Sequence, residues 1–396
     1  MINTNKEYDI VVVGAGPGGS AVAKKCAEAG LKVVMLEKRQ EIGAPKRCAE
    51  GLTFSAEKII GKIPEKCISQ NIDTGMVHAP NGKCIEINFG DSGGYVLERK
   101  VFDKWLAARA SRAGAYVQAK TEVKDVIKEN GFVTGVKAEF EGEEFEIKAK
   151  IVVAADGVES TVARKAGLDT TNQIVNVDSG FQYEMSNLKL RDIHCLDIFM
   201  GNKVAPRGYI WIFPKGEDTA NVGIGIATAE KTAKYYLDKF IENNPQIFKD
   251  AGIIEVNSGG IPVGGFLDNM VLNGLIVVGD AAHQVNPIHG GGLKEATFGG
   301  QIAGDIIIEA LKKGDVSQRG LSEYNKIWWK ERGNFLKKVQ KLREVVEKLS
   351  DNDLNMLAEA LSGEDIVNFT RGNKILKLGK VLIKNPRLIT LAKKLF

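Results

Sequence analysis

Cysteine is scarce and unpatterned in this chain: Cys26, Cys48, Cys67, Cys84 and Cys195 make up the whole set, with no C-x-x-C pair among them. An odd, scattered set favours a reducing compartment and leaves no evident zinc or iron–sulfur site, so no metal is expected. No apolar run approaches the roughly 18 residues needed to span a bilayer. Strand-like sequence starts within about ten residues of Met1, which leaves no room for a signal peptide, and a cytoplasmic location is expected. A formal charge of +4 is too small to point to nucleic acid. Internal repeats and low-complexity tracts are absent. Only one G-x-G-x-x-G turn follows a strand, so the chain lacks a second dinucleotide domain dedicated to a nicotinamide.

What is present is ordinary in bulk and specific in places. An apolar fraction of 44% and a charged fraction of 26% over 396 residues suit a globular protein of two domains, or one large domain with an inserted lobe. The organising stretch is Tyr8 to Lys38. Tyr8–Val13 is an apolar run of the kind buried in a parallel sheet, and it ends in Gly14-Ala15-Gly16-Pro17-Gly18-Gly19. A helix is expected from Ser20 to Ala29 with Gly30 closing it, then a second apolar strand, Leu31–Leu36, ending at Glu37. Gly14 permits the tight turn, Gly16 lets the backbone approach a pyrophosphate, and Gly19 lets helix and strand pack closely. Gly18 belongs to the same turn, and Glu37 stands where a carboxylate accepts hydrogen bonds from a ribose diol.

Further along, Lys38–Leu52 reads as a loop at the carboxyl end of the sheet, where ligands of such folds bind. Strands around Gly75–Ala79 and Cys84–Phe89 are joined by Asn81-Gly82, a strong hairpin signal. A helix follows Arg99. The segments Tyr116–Ala119, Val123–Lys128, Phe132–Phe140 and Glu144–Ala149 read as a small antiparallel meander, and Ile151–Ala155 as a return to the main sheet, ending at Asp156-Gly157. From Val175 to Pro262 the alternation is that of an antiparallel sheet with one packed face. Leu275–Val278 is again a buried strand, followed by Gly279-Asp280 and by Gly290-Gly291-Gly292 before a helix. From Leu321 onward the chain reads as helical.

In Tyr209-Ile210-Trp211-Ile212-Phe213-Pro214, Tyr209, Trp211 and Phe213 fall on one face of a strand and form one wall of a pocket. Gly223 and Gly225 share a face of the next strand and leave a groove there.

The order of the first-strand fingerprint, the Asp156-Gly157 turn and the later Gly279-Asp280 turn resembles flavin-dependent enzymes of the para-hydroxybenzoate hydroxylase-like fold. The strand Tyr209–Pro214, of the form Y-x-W-x-F-P, and the loop Gly43–Gly51 resemble the geranylgeranyl reductase family, most closely its archaeal-type digeranylgeranylglycerophospholipid reductases. These flavoproteins saturate double bonds of isoprenoid chains. The resemblance implies an α/β fold with α+β insertions. A Rossmann-like FAD-binding domain is expected from residues 1–74, 95–174 and 271–320, with an inserted antiparallel substrate domain from 75–94 and 175–270 and a helical region at 321–396. It assigns Gly18, Glu37, Cys48, Ala49, Gly51, Arg99, Asp280, Gly292 and Leu293 to the FAD contacts, with Val123 contributing through its backbone. Cys-Ala-Glu-Gly stands here where many relatives have glycine directly after the cysteine.

The activity so implied is FAD-dependent reduction of geranylgeranyl chains on a glycerophospholipid precursor. Cys48 is its candidate proton donor or flavin tuner, equally readable as a small buried apolar residue. Electrons are expected from an external donor: ferredoxin, a deazaflavin or NAD(P)H. The rival activities are an aromatic monooxygenase on the same scaffold and a non-catalytic flavin-dependent protein that binds lipid or senses redox state. Lys374–Phe396 mixes leucines with seven basic residues, a pattern that suits either peripheral contact with the inner face of the cell membrane or a helix packed on the protein itself.

Overall fold

A computed structural model describes residues 7–370 apart from Thr228; the basic stretch Lys374–Phe396 lies outside the described residues. The chain opens with β1 (Tyr8–Val13), α1 (Pro17–Glu28) and β2 (Val33–Leu36). The first helix starts three residues before the expected Ser20, because proline at a helix's first position has no N–H to lose and its fixed φ suits the turn. Short strands β3 (Gly51–Thr53), β4 (Ile68–Ile72), β5 (Thr74–His78), β6 (Cys84–Asn88) and β7 (Gly94–Leu97) follow, then α2 (Arg99–Arg112). Next come β8 (Tyr116–Gln118), β9 (Thr121–Glu129), β10 (Phe132–Phe140) and β11 (Glu143–Ala154).

The main sheet runs parallel through β11, β1, β2 and β8. Two expectations are corrected here. Tyr116–Gln118 does not join the meander but lies parallel to β2, Val34 opposite Tyr116; a three-residue strand carries too little alternation to show which sheet it enters. The segments Glu144–Ala149 and Ile151–Ala155 are one strand of 12 residues. Its first half pairs antiparallel with β10 and its second half parallel with β1, so one strand carries the meander into the sheet without a turn.

The second sheet holds β12 (Val177–Ser186), β13 (Cys195–Met200), β14 (Tyr209–Pro214), β15 (Ala220–Ile226) and, beyond α3 (Ala233–Glu242), β16 (Gly252–Pro262). Its order is β16-β12-β15-β14-β13-β5-β6, antiparallel except where β13 meets β5. One face packs on α3, with Leu237 and Phe240 against Ile210, Val222 and Ile224. A small sheet, β3-β7-β4, lies between the two larger ones in sequence and packs on α2. The chain then returns to the main sheet through β17 (Val271–Leu272) and β18 (Leu275–Val277), β18 parallel to β11. The helices α4 (Leu293–Lys313), α5 (Asn334–Val346), α6 (Asp351–Ala360) and α7 (Gly363–Thr370) follow. A side chain at Gly300 would lie 2.4 Å from the Gly18 carbonyl oxygen, so α4 crosses α1 at backbone distance.

The strands β1, β2 and β18 and the last four residues of β11 are buried almost throughout, which is why they read as continuous apolar runs. Among the described residues no helix is long and apolar enough to cross a membrane.

Candidate functional site

The glycine turn after β1 has three distinct tasks. Gly14 sits at φ +105°, and a Cβ there would lie 2.2 Å from the Ala155 carbonyl oxygen; one on Gly19 would lie 2.0 Å from the Gly14 oxygen. Both glycines are demanded by the protein's own backbone. At Gly16 a Cβ would meet nothing within 4 Å, so its smallness serves space outside the protein. Gly16 is also the N-cap of α1 and offers no side chain to the helix's free N–H groups. An uncapped helix N-terminus beside open space fits a pyrophosphate. Gly18 packs instead against Ala296 of α4, 3.3 Å from its carbonyl oxygen to a Cβ at Gly18.

Glu37 closes this cradle. One carboxylate oxygen accepts the Ala15 N–H at 3.1 Å and the other the Arg39 N–H at 3.0 Å. The two oxygens keep lone pairs for a ribose diol. The Thr121 N–H donates to the Glu37 carbonyl at 2.8 Å, and this brings Val123, two residues along β9, to the same edge.

Asp280 stands where α4 begins. Burial pushes its carboxyl up, and the charges of Arg99 and His283 oppose that shift. A Cβ on Gly292 would lie 2.8 Å from Asp280 Oδ1, so the bare glycine leaves the carboxylate against the N-terminus of α4. Leu293 opens that helix and packs with Leu52, Leu97 and Phe102. A buried acidic oxygen at a helix start, facing the glycine run Gly290–Gly292, fits a ribityl hydroxyl and a flavin ring edge. On these observations the donor set fits FAD.

Arg99 stands at the start of α2. Its guanidinium makes a bidentate pair with Asp103 of its own helix, at 3.0 and 2.7 Å, and lies beside the Cys48 thiol. Its charge reaches Asp280.

The cysteine loop itself was expected at the site; what sequence reasoning did not anticipate is how it is held. The Cys48 sulfur accepts the Glu50 N–H at 3.2 Å, the Cys48 carbonyl accepts from Gln182 at 3.1 Å, and the Ala49 carbonyl from Asn221 at 3.2 Å. Beneath it lies a buried charge network. Lys46, 2% exposed, bonds Glu50 at 3.1 Å, Asn221 at 3.2 Å and Glu184. Lys215 meets Glu50 at 2.8 Å, Glu98 at 2.8 Å and Glu184 at 3.1 Å. Glu50 is fully buried, has φ +74° and also accepts the Arg99 N–H at 2.7 Å. Burial pushes its carboxyl up, yet Lys215 and Lys46 outweigh burial and hold it below the ordinary carboxylate value. The network ties loop, small sheet and second sheet together. Its only sequence signal is polar residues inside strands of otherwise buried pattern, Glu184 and Asn221 among them.

Between the loop, the glycine run and the second sheet opens a cavity of about 1220 Å³. Cys48, Phe181, Trp211, Phe213, Ile198 and Gly291 are among its lining residues. Tyr209 lines it too, and its hydroxyl donates to the His289 carbonyl at 2.9 Å, fastening the aromatic strand to the glycine run. The expected groove at Gly223 is not open. A Cβ there would lie 2.3 Å from the Trp211 ring, because the indole lies across the glycine and donates to Gln182 at 2.8 Å. Gly223 thus seats a wall, whereas Gly225, 3.7 Å from the same ring, borders the cavity. A side chain at Gly51 would meet Phe213 at 3.1 Å.

Comparison with known proteins agrees with this arrangement. The geranylgeranyl reductase catalytic domain matches residues 176–261, and an NAD(P)-binding Rossmann-like domain matches residues 12–49. The digeranylgeranylglycerophospholipid reductase of Methanocella arvoryzae is 43% identical over 97% of this chain and 97% of its own. That of Methanocaldococcus jannaschii is 43% identical over 98% of each. The crystal structure of a geranylgeranyl bacteriochlorophyll reductase-like protein from Thermoplasma acidophilum superposes with a TM-score of 0.90 at 36% identity, covering 99% of this chain and all of that one.

Proposed function

The chain belongs to the digeranylgeranylglycerophospholipid reductase family, and from that premise we propose that it is an FAD-dependent reductase saturating the isoprenoid C=C bonds of geranylgeranyl chains on a glycerophospholipid precursor. The observation that carries this reading is the apolar, aromatic-walled cavity of about 1220 Å³ running between the cysteine loop and the glycine run at the cofactor cradle. An aromatic monooxygenase would share the scaffold, but the segment that carries the aromatic strand, residues 176–261, matches the geranylgeranyl reductase catalytic domain.

FAD held here and reduced by an external donor would supply the hydride, since an isolated alkene is a poor acceptor and needs a strongly reducing partner held against it. The chain's own residues do the rest. Gly14, Gly16, Gly19 and the α1 N-terminus hold the pyrophosphate, Glu37 a ribose, and Asp280 with the α4 N-terminus the flavin end. The free N–H groups of that helix start would favour a negatively charged neighbour by about 0.3–1 kcal/mol. Trp211, Phe213 and Tyr209 exclude water from the chain being reduced. Cys48, on a loop that the buried network holds still, supplies the proton from Sγ to the carbon opposite the hydride. The electron donor is external, and the basic stretch Lys374–Phe396 makes the contact with anionic lipid.

The deciding test is anaerobic: reduce the holoprotein with dithionite, remove the reductant, add digeranylgeranylglyceryl phospholipid, and follow flavin absorbance with product mass. Flavin reoxidation with a gain of two hydrogens per turnover is expected. A flavin that stays reduced until oxygen enters would sink the reading. Full single-turnover reduction by Cys48→Ser would remove the proton-donor role, and equal liposome binding with and without residues after Asn373 would remove the lipid contact.

A further inference from the structure

On the far side of the second sheet from the cofactor cradle, three side chains form a relay that the reductase site does not use. The turn Asn81-Gly82 closes β5 onto β6 with His78 directly opposite Cys84. The Cys84 sulfur lies 3.1 Å from His78 Nδ1, and His78 Nε2 lies 2.6 Å from Asp197 Oδ1 on the neighbouring β13. The imidazole stacks on Phe199, centroids 4.1 Å apart and planes within 7°, and Phe199 is backed by Phe240 of α3. Histidine and carboxylate are each about four-fifths buried, whereas the cysteine is exposed. The three are not arranged to hold a metal ion.

We propose that Cys84 is a nucleophilic thiol site that exchanges with disulfides, activated by His78 and oriented through Asp197. A nucleophile, a base within hydrogen-bond reach and a carboxylate fixing the base's far nitrogen is the arrangement that activates thiols. The stacked ring cannot turn away, and Asp197 sets which nitrogen faces the sulfur. Cys26, Cys67 and Cys195 are buried, and Cys48 is half-buried in the cavity wall, where its sulfur accepts the Glu50 N–H. In the step itself, the Cys84 thiol gives its proton to His78 Nδ1 as sulfur attacks one sulfur of R–S–S–R. The S–S bond breaks, the departing thiolate takes that proton and leaves as R–SH, and Cys84 remains as the mixed disulfide. Cys84 is oxidised and the reagent disulfide is reduced. Because Val77 and Ile87 of the same two strands line the cavity, the modification sits on the back of its wall.

Other charges near the hairpin are Lys83 with its partner Glu359 of α6, Glu86 further along β6, and Glu364 and Asp365 of α7, whose first residue packs on the Glu86 backbone.

The test uses the full-length holoprotein with 5,5′-dithiobis(2-nitrobenzoate), following release of the aryl thiolate and mapping the modified peptide by mass. One fast thiol is expected, located at Cys84 and abolished by Cys84→Ser. At pH 6.5, His78→Gln should slow it by about tenfold or more and Asp197→Asn by less, with the difference closing toward pH 9, where solvent ionises an ordinary thiol of pKa about 8.5. Fast labelling at Cys48, or a Cys84 rate and pH profile unchanged in His78→Gln, would overturn the proposal. Should His78→Gln fail to fold, the wild-type profile decides: a rate rising about tenfold per pH unit below pH 8 is that of an unassisted thiol and overturns it.

Discussion

The turn Gly14–Gly19 and the loop Gly43–Gly51 both belong to the proposed cofactor site, yet they are held in place by opposite means. The turn is set by backbone proximity: Gly14 and Gly19 each lie where any Cβ would strike a carbonyl oxygen. The loop is set by charge, with Lys46 and Glu50 reaching partners on Glu184, Lys215 and Asn221 from the second sheet. The turn is a local solution, made by residues within a few positions of one another and one adjoining strand. The loop is a long-range one, in which Lys46 reaches 138 positions to Glu184 and 175 to Asn221. Steric placement leaves a spacing in the sequence, and electrostatic placement leaves none.

The largest effect expected from breaking this contrast is at Gly14. Gly14→Ala forces a positive φ on alanine and a collision with backbone, so it should cost more than about 3 kcal/mol and abolish flavin retention, read by denaturant midpoint and flavin content. Gly16→Ala sharpens the point: with no protein atom in its way, the apoprotein should keep its midpoint within about 0.5 kcal/mol while FAD affinity falls. Equal loss of stability in both variants would show that the two glycines do not divide the work.

Next in size is the loop's network. Lys215→Met leaves Glu50 and Glu184 buried with less compensation and should destabilise by about 3–5 kcal/mol, whereas Lys215→Met combined with Glu50→Gln should recover part of it. Strict additivity in that double-mutant cycle would remove the coupling. Gly223→Ala should cost about 1–3 kcal/mol by driving the Trp211 indole off its seat, and it should raise the KM for the lipid more than it lowers thermal stability would suggest.

The smallest expected effect is in pH dependence. The Glu50 carboxyl is held below its ordinary value, so its contribution is present above that value of 4.5 and is lost as pH falls through the folded one. Acidification below about pH 4.5 should therefore lower the denaturant midpoint more steeply in the wild type than in Glu50→Gln. Parallel slopes would mean that Glu50 is not linked to folding.

Much of the site was legible from the chain alone because its elements are local. The burial of β1 and β2, the turn between them and the acid after β2 follow one another within thirty residues, and each has a residue-type signature. The aromatic strand was legible for the same reason, since period two places Tyr209, Trp211 and Phe213 on one face. Gly223 was misjudged because spacing shows that a glycine leaves room without showing what fills it; only the neighbouring strand's Trp211 does. The pairing of Arg99 with Asp103 was not legible, because a guanidinium at a helix start can serve a ligand, its own helix or both.

By itself the sequence determined the dinucleotide turn, the buried strands of the main sheet and the aromatic wall, because backbone sterics and side-chain alternation act over a few residues and are written in residue order. Tertiary structure alone decided that β8 joins the main sheet, that one strand serves both the meander and the sheet, and that four elements pool their charges under Cys48. It also decided that His78, Cys84 and Asp197 meet. Those outcomes depend on which distant segments come to share low-dielectric space, where a charge must find a partner whatever its position in the chain.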